Sequence, residues 1–504
     1  MDFTKIVRPL FMKRVKIAER YADYGDIMQR QQLQSLLATA TSTEFGTKYD
    51  FASINSYESF SQRVPIHNYD DLQPSIMRML AGEPDILWRG VIKNFAQSSG
   101  TAGKSKYIPI SKESFSKCHY QGGFDTVAHY FNINPASRMF SGKGFILGGS
   151  FATEILAPGG VCVGDLSANL INNINPLVNL VRVPSKEVAL MPDWEKKLPA
   201  LVNASRSQNV TNISGVPSWF LTVIKEILKS EHKDCINDVW KNLEVFFHGG
   251  ISFTPYREQY SHICDNSKMH YIETYNASEG FFAVQSSLDT NAMLLLLDLG
   301  VFFEFVPLDE IDNTNPHAIP LWEVERGKTY ALIITANNGL WRYSIGDTVR
   351  IEQTNPVKIR IIGRTKHFIN AFGEELMVHN ADEAIARVSS KCGVEVLNYT
   401  AAPVYASDNA RGHHQWLIEF VDTPHNISNF ATMLDEELQN VNSDYEAKRY
   451  KGIFLDSLSI VEARKGLFDD WLSSTGKLGG QRKIPRLANS RELIEQMLKF
   501  NNDN

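Results

Sequence analysis

Apolar residues along the chain alternate between helical and strand-like spacing, which predicts a mixed α/β protein. Residues 1–45 carry apolar residues at roughly helical spacing in two amphipathic stretches. Asn209–Ser214 is a short strand candidate and Leu243–Phe247 is an apolar run of strand length, with a helical pattern over Trp219–Ser230 between them. Short strands that alternate with helices are typical of an α/β domain with a substantial parallel component.

After Gly300 the predicted strands follow one another without intervening helices. The most apolar run, Met293–Leu308, is interrupted by Asp298 and Glu304 and centred on Gly300. We therefore expect two buried strands there and not a membrane span. The further strand-like stretches are Thr329–Thr335, Trp341–Ile351 and Lys358–Ile362.

From about residue 371 the pattern predicts a smaller α+β unit. Its predicted elements are a helix over Asn380–Val388, strands over Val394–Tyr405 and His414–Val421, a helix over Asn429–Asn440 and a strand near Leu455–Val461. A chain of 504 residues exceeds the size of one core, so two domains are expected. We place the boundary within Gly363–Gly373, which gives an N-terminal domain of residues 1–365 and a C-terminal domain of residues 366–504.

Composition and charge argue against several classes of protein, among them nucleic-acid-coating and disulfide-rich proteins. The chain is 43% hydrophobic and 21% charged, and its net charge of -6 argues against a nucleic-acid-coating surface. The five cysteines are scattered, which fits a reducing cytosol better than a disulfide framework or a zinc site. The N-terminus lacks the apolar run of a signal peptide. We expect a soluble, cytoplasmic protein with no membrane or nucleic-acid partner.

A glycine-rich stretch, Gln97–Lys106, has the chemistry of a polyphosphate site. It reads Q-S-S-G-T-A-G-K-S-K, so hydroxyl groups, two glycines and two lysines fall within ten positions. Successive backbone N–H groups in such a turn can form an anion-binding nest. It is not a Walker A loop, because Ser98 stands where that motif requires glycine. Taken alone, the stretch also fits a plain surface turn.

Two further stretches follow predicted strands. His248-Gly-Gly250 places a glycine pair after a buried strand, at the end where open α/β sheets bind ligands. Ser278 and Glu279 lie after another short strand, and a carboxylate beside a phosphate site is a usual way to hold Mg²⁺. By itself the glycine pair fits a tight turn equally well, and a lone Ser-Glu pair is more often an ordinary turn.

Two C-terminal stretches complete the candidate chemistry. Asp347 follows a strand at a glycine, where a carboxylate can accept both ribose hydroxyls, and Arg342 supplies a permanent charge. Gly479–Arg486 is a glycine loop that contains the cations Lys483 and Arg486. By composition alone, these stretches also fit a β-turn and a solvated loop.

The order and type of these stretches resemble the Gretchen Hagen 3 family, the auxin-responsive acyl acid amido synthetases of the adenylate-forming superfamily. The resemblance spans about residues 60 to 490. Its motifs are Ser98–Lys106, Tyr275–Glu279, Arg342–Asp347, Phe302–Pro307 and Gly363–Leu376. It implies a large N-terminal adenylate-forming domain with parallel-rich sheets and a β subdomain, followed by a small mobile α+β domain that pivots near Thr365–His367.

The resemblance also implies an ATP- and Mg²⁺-dependent ligase. A carboxylic acid would be converted to acyl-AMP with release of pyrophosphate, and the acyl group would pass to an amine, an amino acid in the leading interpretation. The implied phosphate contacts are Ser98, Ser99, Thr101, Lys106 and Ser278; the adenine contacts are Gly249, Gly250 and Tyr275; the ribose contact is Asp347, with Tyr343 and Arg364 nearby. Glu279 would ligate Mg²⁺, and Lys483 would reach the α-phosphate, with Lys477 as its rival. Lys483, Lys106 and Glu279 form the implied catalytic group.

Two other functions remain open from the sequence. One is an acyl-CoA ligase with a thiol acceptor, and the other is a nucleotide-binding homologue without turnover. Loss of Lys106, Glu279, Asp347 or Lys483 would mark the second, but all four residue types are present.

The substrates are not identified by the residues. An acyl pocket would be built from Phe115–Phe124, Phe145–Glu154 and Val216–Phe220, but core packing explains these residues equally well. His119 and His129 are expected to be packing or surface histidines and not bases. The shortness of the chain favours a bacterial homologue, acting as a monomer or weak homodimer.

Overall fold

The computed structural model describes residues 2–99, 105–151, 160–250, 253–311, 313, 316–364, 368–369, 371, 374, 376–404, 412–442, 445–446, 449, 455–475, 484–488 and 490–503. Contacts between residues divide the chain into two compact units, each of which is described by itself. The first contains Met1–Ile345 and Val349–Ile361, and the second contains Gly346–Thr348, Ile362–Leu478 and Arg482–Asn504.

Both units are built from short strands and helices, numbered in chain order. The strands are β1 (Asn94–Ser99), β2 (Ser105–Ile110), β3 (Lys143–Ile146), β4 (Cys162–Gly164), β5 (Arg182–Val183), β6 (Val210–Gly215), β7 (Val245–Gly249), β8 (His270–Ala277), β9 (Gly280–Gln285), β10 (Met293–Leu295), β11 (Val301–Pro307), β12 (Ile319–Pro320), β13 (Thr329–Ala336), β14 (Tyr343–Thr354), β15 (Val357–Arg364), β16 (Phe368–Ile369), β17 (Leu376–Met377), β18 (Val396–Val404), β19 (His413–Phe420) and β20 (Ser459–Ala463). The helices are α1 (Thr4–Glu19), α2 (Tyr21–Ala40), α3 (Glu44–Lys48), α4 (Tyr57–Arg63), α5 (Tyr69–Leu80), α6 (Tyr120–Ile133), α7 (Leu166–Asn173), α8 (Lys186–Ala189), α9 (Trp194–Ser205), α10 (Pro217–Glu231), α11 (Ile236–Val239), α12 (Arg257–Ile263), α13 (Val378–Cys392), α14 (Ile427–Val441), α15 (Leu467–Ser474) and α16 (Glu492–Asp503).

The largest sheet in the described part of the chain has twelve strands. Their order is β12-β11-β13-β14-β15-β10-β9-β8-β7-β6-β3-β5. The end from β8 to β5 is parallel throughout. From β8 onward the pairs β8–β9, β9–β10 and β10–β15 are antiparallel, as are β11–β12 and β11–β13. The predicted α/β fold with a parallel component is thus confirmed, and the strands after Gly300 fall in the antiparallel part.

The parallel strand β7 is largely apolar because it is buried beneath helices. Four of the five residues of β7 are buried, and the side chain of Phe246 is fully buried. It packs with residues of α9, α10 and α12 around the fully buried Trp240. A strand buried on both faces gives a continuous apolar run, as Val245–Phe247 of β7 does in the sequence.

The two N-terminal helices are confirmed as α1 and α2, and a charged network attaches them to the first unit. Arg14 forms a bidentate pair with Asp125, with N–O distances of 2.8 and 2.7 Å, and a second pair with Asp298 at 2.8 Å. The Tyr21 hydroxyl donates to the same Asp298 carboxylate at 2.5 Å. Polar residues of α1 and α2 therefore hold the helices in place together with their apolar face.

Helix α5 contains a proline, a residue that ordinarily breaks a helix. The helix runs from Tyr69 to Leu80 with Pro74 inside it. Asn68 caps its first turn in a reciprocal arrangement with Asp71. Apolar residues such as Ile76 are buried along one side. This packing and capping offset the backbone hydrogen bond that proline cannot donate.

The second unit is α+β, as predicted. Its main sheet has the order β18-β19-β20, with β18 antiparallel and β20 parallel to β19. Helices α13 and α14 pack in its core around the fully buried Trp416. The last strand begins at Ser459, four residues later than the predicted start.

Each principal core contains its own buried tryptophan. Trp88 and Trp341 belong to the largest core of the first unit, Trp240 to the core beneath the parallel strands, and Trp416 to the core of the second unit. Among the described residues, no helix combines the length and apolar character needed to cross a bilayer.

Candidate active site

The carboxyl ends of four neighbouring parallel strands bring the candidate residues together. Strands β3, β6, β7 and β8 lie side by side and in the same direction. They lead respectively into Gly148-Gly149, Gly215, Gly249-Gly250 and Ser278-Glu279. An edge with little side-chain bulk lets a ligand approach the backbone, and such edges bind ligands in open α/β sheets.

Gly249 and Gly250 each require glycine for a different reason. A Cβ atom on Gly249 would lie 2.4 Å from the Thr274 carbonyl oxygen of β8. Gly250 has a φ of 79°, in the left-handed region. The pair therefore forms a narrow backbone edge, which suits a flat ring such as a purine.

His248 precedes this glycine pair and is held as a neutral ring. It is 3% exposed and stacks on Phe253 with ring centroids 4.3 Å apart. Burial, aided by the nearby Arg257, lowers the pKa of His248 to about 3. Its contribution at neutral pH is therefore the packing of an uncharged ring.

Ser278 and Glu279 form the turn between β8 and β9, as predicted. Ala277 and Gly280 pair across this hairpin, and both turn residues are buried. The Asn338 side-chain amide donates to the Glu279 carbonyl at 3.1 Å. A carboxylate is the protein ligand that Mg²⁺ usually takes beside phosphate oxygens, so Glu279 has the chemistry of a magnesium ligand. No group of three or more potential metal-binding side chains occurs within the described ranges.

Tyr275 stands on β8, four positions before Glu279. It is 5% exposed and meets Phe282 edge to face, with ring centroids 4.9 Å apart. A β-bulge separates it from Asn276 in the pairing with β9. Bulges re-aim side chains at functional strand ends, which fits the position of Tyr275 at this edge.

Residues that the sequence interpretation did not assign hold the turn from one side. The Cys118 sulfur accepts from the Phe281 N–H at 3.1 Å. The Nδ1 atom of His119 lies 3.1 Å from Oδ1 of Asn276, and burial lowers the pKa of His119 to about 4. His119 and His129 are both buried, in agreement with a packing role. No sequence signal links these residues to the turn, because the contact is made only in the folded chain.

The glycine-rich stretch lies between two antiparallel strands. Residues Ser98 and Ser99 of β1 pair with Lys106 and Ser105 of β2. The Lys106 ammonium lies 5.5 Å from the centroid of the Tyr69 ring. Thr101 and the side chains of Ser98 and Ser99 lie outside the described part of the chain.

The ribose candidates are divided between the two units. Tyr343 is fully buried in the main core of the first unit. Asp347 was expected to follow a strand, and this prediction is wrong. It lies within β14, directly after Gly346, whose φ is 86°. The strand continues through this glycine, because apolar residues such as Val349 and Ile351 extend its buried pattern. Arg364 ends β15, and its side chain is outside the described set.

Two arginines that the sequence offered as charges for a ligand form ion pairs with buried carboxylates instead. Arg342 pairs with the fully buried Glu304 at 2.8 Å and donates to the Val64 carbonyl at 2.7 Å. In the second unit, Arg486 pairs with Asp382 and lies over the Tyr399 ring. Both arginines are therefore structural. Lys477, Lys483 and the proposed pivot at Thr365–His367 lie outside the described residues.

Comparison with known proteins identifies the family. Models of the GH3 family N-terminal, central and C-terminal domains match residues 14–269, 294–364 and 379–492. The chain belongs to the GH3 family. A jasmonoyl–L-amino acid synthetase GH3.5 of Oryza sativa subsp. japonica is 24% identical over 568 residues, an alignment covering 94% of both chains.

Solved structures show that this GH3 chain has the adenylate-forming ligase fold. The GH3.15 acyl acid amido synthetase matches with a TM-score of 0.79 at 18% identity, covering 98% of this chain and 96% of that one. A 2-hydroxyisobutyryl-CoA ligase in complex with 2-HIB-AMP matches with a TM-score of 0.58 at 14% identity, over 94% and 92% of the two chains.

Proposed function

We propose that this GH3 protein is an ATP-dependent acyl acid amido synthetase. It adenylates a carboxylic acid, releases pyrophosphate and transfers the acyl group to an amine, with an amino acid as the acceptor. The observation that carries the proposal is the glycine pair and the Ser278–Glu279 turn on adjacent parallel strands in a chain of this family. The name of the rice relative, a jasmonoyl–L-amino acid synthetase, supports an amino acid as acceptor.

The nucleotide is proposed to bind along the carboxyl edge of the parallel strands. The bare backbone at Gly249 and Gly250 suits the adenine face, and Tyr275 offers a neighbouring ring. Asp347 accepts the ribose hydroxyls, with Tyr343 and Arg364 nearby. The proposed phosphate contacts are Ser98, Ser99, Thr101, Lys106 and Ser278.

Glu279 is the proposed Mg²⁺ ligand. Mg²⁺ typically takes one or two protein carboxylates and leaves its other positions to phosphate oxygens and water. A single carboxylate beside the Ser278 hydroxyl fits that requirement. When bound, Mg²⁺ would neutralise charge on the phosphates.

The two half-reactions explain why these residue types are needed. A carboxylate oxygen attacks the α-phosphorus of ATP, the bond to the bridging oxygen breaks, and pyrophosphate leaves. Positioning and charge neutralisation dominate such a step, and Lys106 and Lys483 supply positive charge. An amine then attacks the acyl carbon, AMP leaves with the electron pair, and the amine loses a proton. A neutral amine is required, because an ammonium has no lone pair.

A thiol acceptor is the competing hypothesis, favoured by the fold shared with a CoA ligase. The greater likeness to an amido synthetase supports the amine. We propose a cytoplasmic enzyme that acts as a monomer or weak homodimer.

The test is ATP–pyrophosphate exchange with Mg²⁺ and a panel of carboxylic acids, followed by mass spectrometry with amino acids or CoA. Acid-dependent exchange and an amide product are expected. Exchange followed by a thioester would replace the amine with a thiol. ATP binding without exchange for any acid would contradict the proposed enzyme.

Two matched variants test which lysine reaches the α-phosphate. Lys483→Ala should slow exchange by roughly a hundredfold or more, because it removes charge stabilisation from the α-phosphate. Reaction of preformed acyl-AMP with the amine should be nearly unchanged. Lys477→Ala is the control, and a larger loss of exchange in that variant would transfer the role to Lys477.

A further inference from the structure

We propose that the exposed face of helix α1 binds the surface of an anionic lipid bilayer. This basic–apolar face consists of Ile6, Leu10, Lys5, Lys13 and Lys16 of the helix together with Phe3, the residue directly before it. The three apolar side chains are 44%, 73% and 56% exposed. The proposal is independent of the adenylation chemistry.

Helical geometry puts the apolar members in one row. Positions 3, 6 and 10 are separated by three and four residues, so their side chains project from the same side of the helix. The opposite side is packed into the main core through Phe11 and Val15. If the helix rotated to bury this row, Phe11 and Val15 would lose their contacts with the main core.

The three lysines make the row suited to an anionic partner. Lys5, Lys13 and Lys16 are exposed, and among the described residues no carboxylate lies within ion-pair distance of them. They stand on a chain whose net charge is -6, so this positive cluster opposes the overall sign. Arg8 and Arg14 of the same helix are not part of this face. Arg14 pairs with Asp125, and Arg8 donates a hydrogen bond to the Ser137 carbonyl.

A lipid surface fits this face better than a second protein does. The apolar side chains form a single protruding row on one helix and not a groove into which a partner could insert. A bilayer interface deforms around such side chains, and neighbouring lysines meet the lipid phosphates. Among the described helices none can cross a bilayer, so α1 would lie along the interface.

The test is co-sedimentation of the full chain with vesicles of phosphatidylcholine alone or mixed with phosphatidylglycerol. We expect binding only to the mixed vesicles and weaker binding at high salt. Lys13→Gln with Lys16→Gln should lower the partition coefficient about thirtyfold, because each cation near the surface contributes about fivefold. Ile6→Ser with Leu10→Ser should lower it at least about tenfold.

The matched control uses exposed apolar residues elsewhere. Leu177 and Leu180 are each 71% exposed, in the stretch 175–181 that contains no lysine or arginine. Leu177→Ser with Leu180→Ser should bind vesicles as the unchanged chain does. Thermal unfolding and pyrophosphate exchange should be unaltered in all three double variants, because the substituted side chains are in solvent.

Two results would overturn the proposal. One is absence of binding to phosphatidylglycerol-containing vesicles at low salt. The other is a concentration-dependent dimer that Ile6→Ser with Leu10→Ser abolishes, which would assign the face to a second copy of the chain.

Discussion

At the scale of single residues, buried charge in this protein has a structural role. Glu304 is fully buried, and its carboxylate accepts from Arg342 and from the Tyr57 hydroxyl at 3.1 Å. Arg342 adopts a φ of 40°, which is uncommon for a residue with a side chain. The surrounding contacts must hold this conformation, so the ion pair and the backbone depend on each other.

Glu304→Gln should therefore destabilise the fold by about 3–5 kcal/mol, because it leaves a buried guanidinium without its counter-charge. Urea denaturation measures the change. Glu325→Gln, which removes an exposed pair with Lys328, should change the free energy of unfolding by less than about 1 kcal/mol and is the control. Equal effects of the two variants would contradict the structural role of Glu304.

Glu273, on β8, gives a prediction for pH. Burial raises the pKa of Glu273 from 4.5 to about 7, although Arg257 and Arg360 favour its ionised form. The folded protein thus holds this proton more tightly than the unfolded chain does. Its contribution to stability is complete below about pH 4.5 and is lost as the pH rises through about 7.

Glu273→Gln should remove this loss, so the variant should be more stable than the unchanged protein at pH 8 by roughly 3 kcal/mol. At pH 4 the difference should nearly vanish. Thermal unfolding at both pH values measures it, with the exposed Glu258→Gln as control. A constant difference across the pH range would point to altered packing and not to titration.

At the scale of elements, polar contacts decide how α1 and α2 attach to the first unit. Asp125 is buried, and its carboxylate receives Arg14 as well as the Gln121 amide at 2.8 Å. Arg14 is one guanidinium shared by two carboxylates. The charged part of this attachment therefore depends on the Arg14 side chain.

Arg14→Met should lower the free energy of unfolding by about 3 kcal/mol, because Asp125 stays buried without its cation. The neighbouring exposed Lys13→Met should cost less than about 0.5 kcal/mol. Circular dichroism during urea unfolding compares them, and similar values would contradict the role assigned to Arg14.

Elements with an unbroken apolar pattern could be predicted from the sequence, and elements that depend on long-range contacts could not. The buried strands β7 and β10 have such a pattern, because burial on both faces fixes their composition. Helix α5 contains Pro74, so its pattern indicated a break that capping and packing override. The Gly346-Asp347 pair has the sequence of a turn, yet β14 continues through both residues.

For the site, the sequence indicated the groups that follow strands but not those that support them. The Ser278–Glu279 turn and the Gly249–Gly250 pair could be located because strand ends leave a local signal. The contact of His119 with Asn276 joins residues 157 positions apart, and no local pattern encodes it. The role of each site residue stays a prediction.

At the scale of the whole molecule, the chain is assembled from separate apolar cores. The first unit has a main core and a second core beneath its parallel strands, and the second unit has its own. Units with separate cores are not expected to unfold in one all-or-none transition. A single melting temperature would therefore describe this protein poorly.

The buried tryptophans make that separation visible to fluorescence. In a variant whose other tryptophans are replaced, the emission wavelength of Trp416 would shift when water reaches the core of the second unit. In a variant that keeps only Trp240, the same shift would mark the unfolding of the core beneath the parallel strands. Emission curves with midpoints at different urea concentrations would give each core its own unfolding transition, and coincident curves would mean that the cores fail together. The protein thus contains, in its own indole rings, the optical labels needed to follow its parts one at a time.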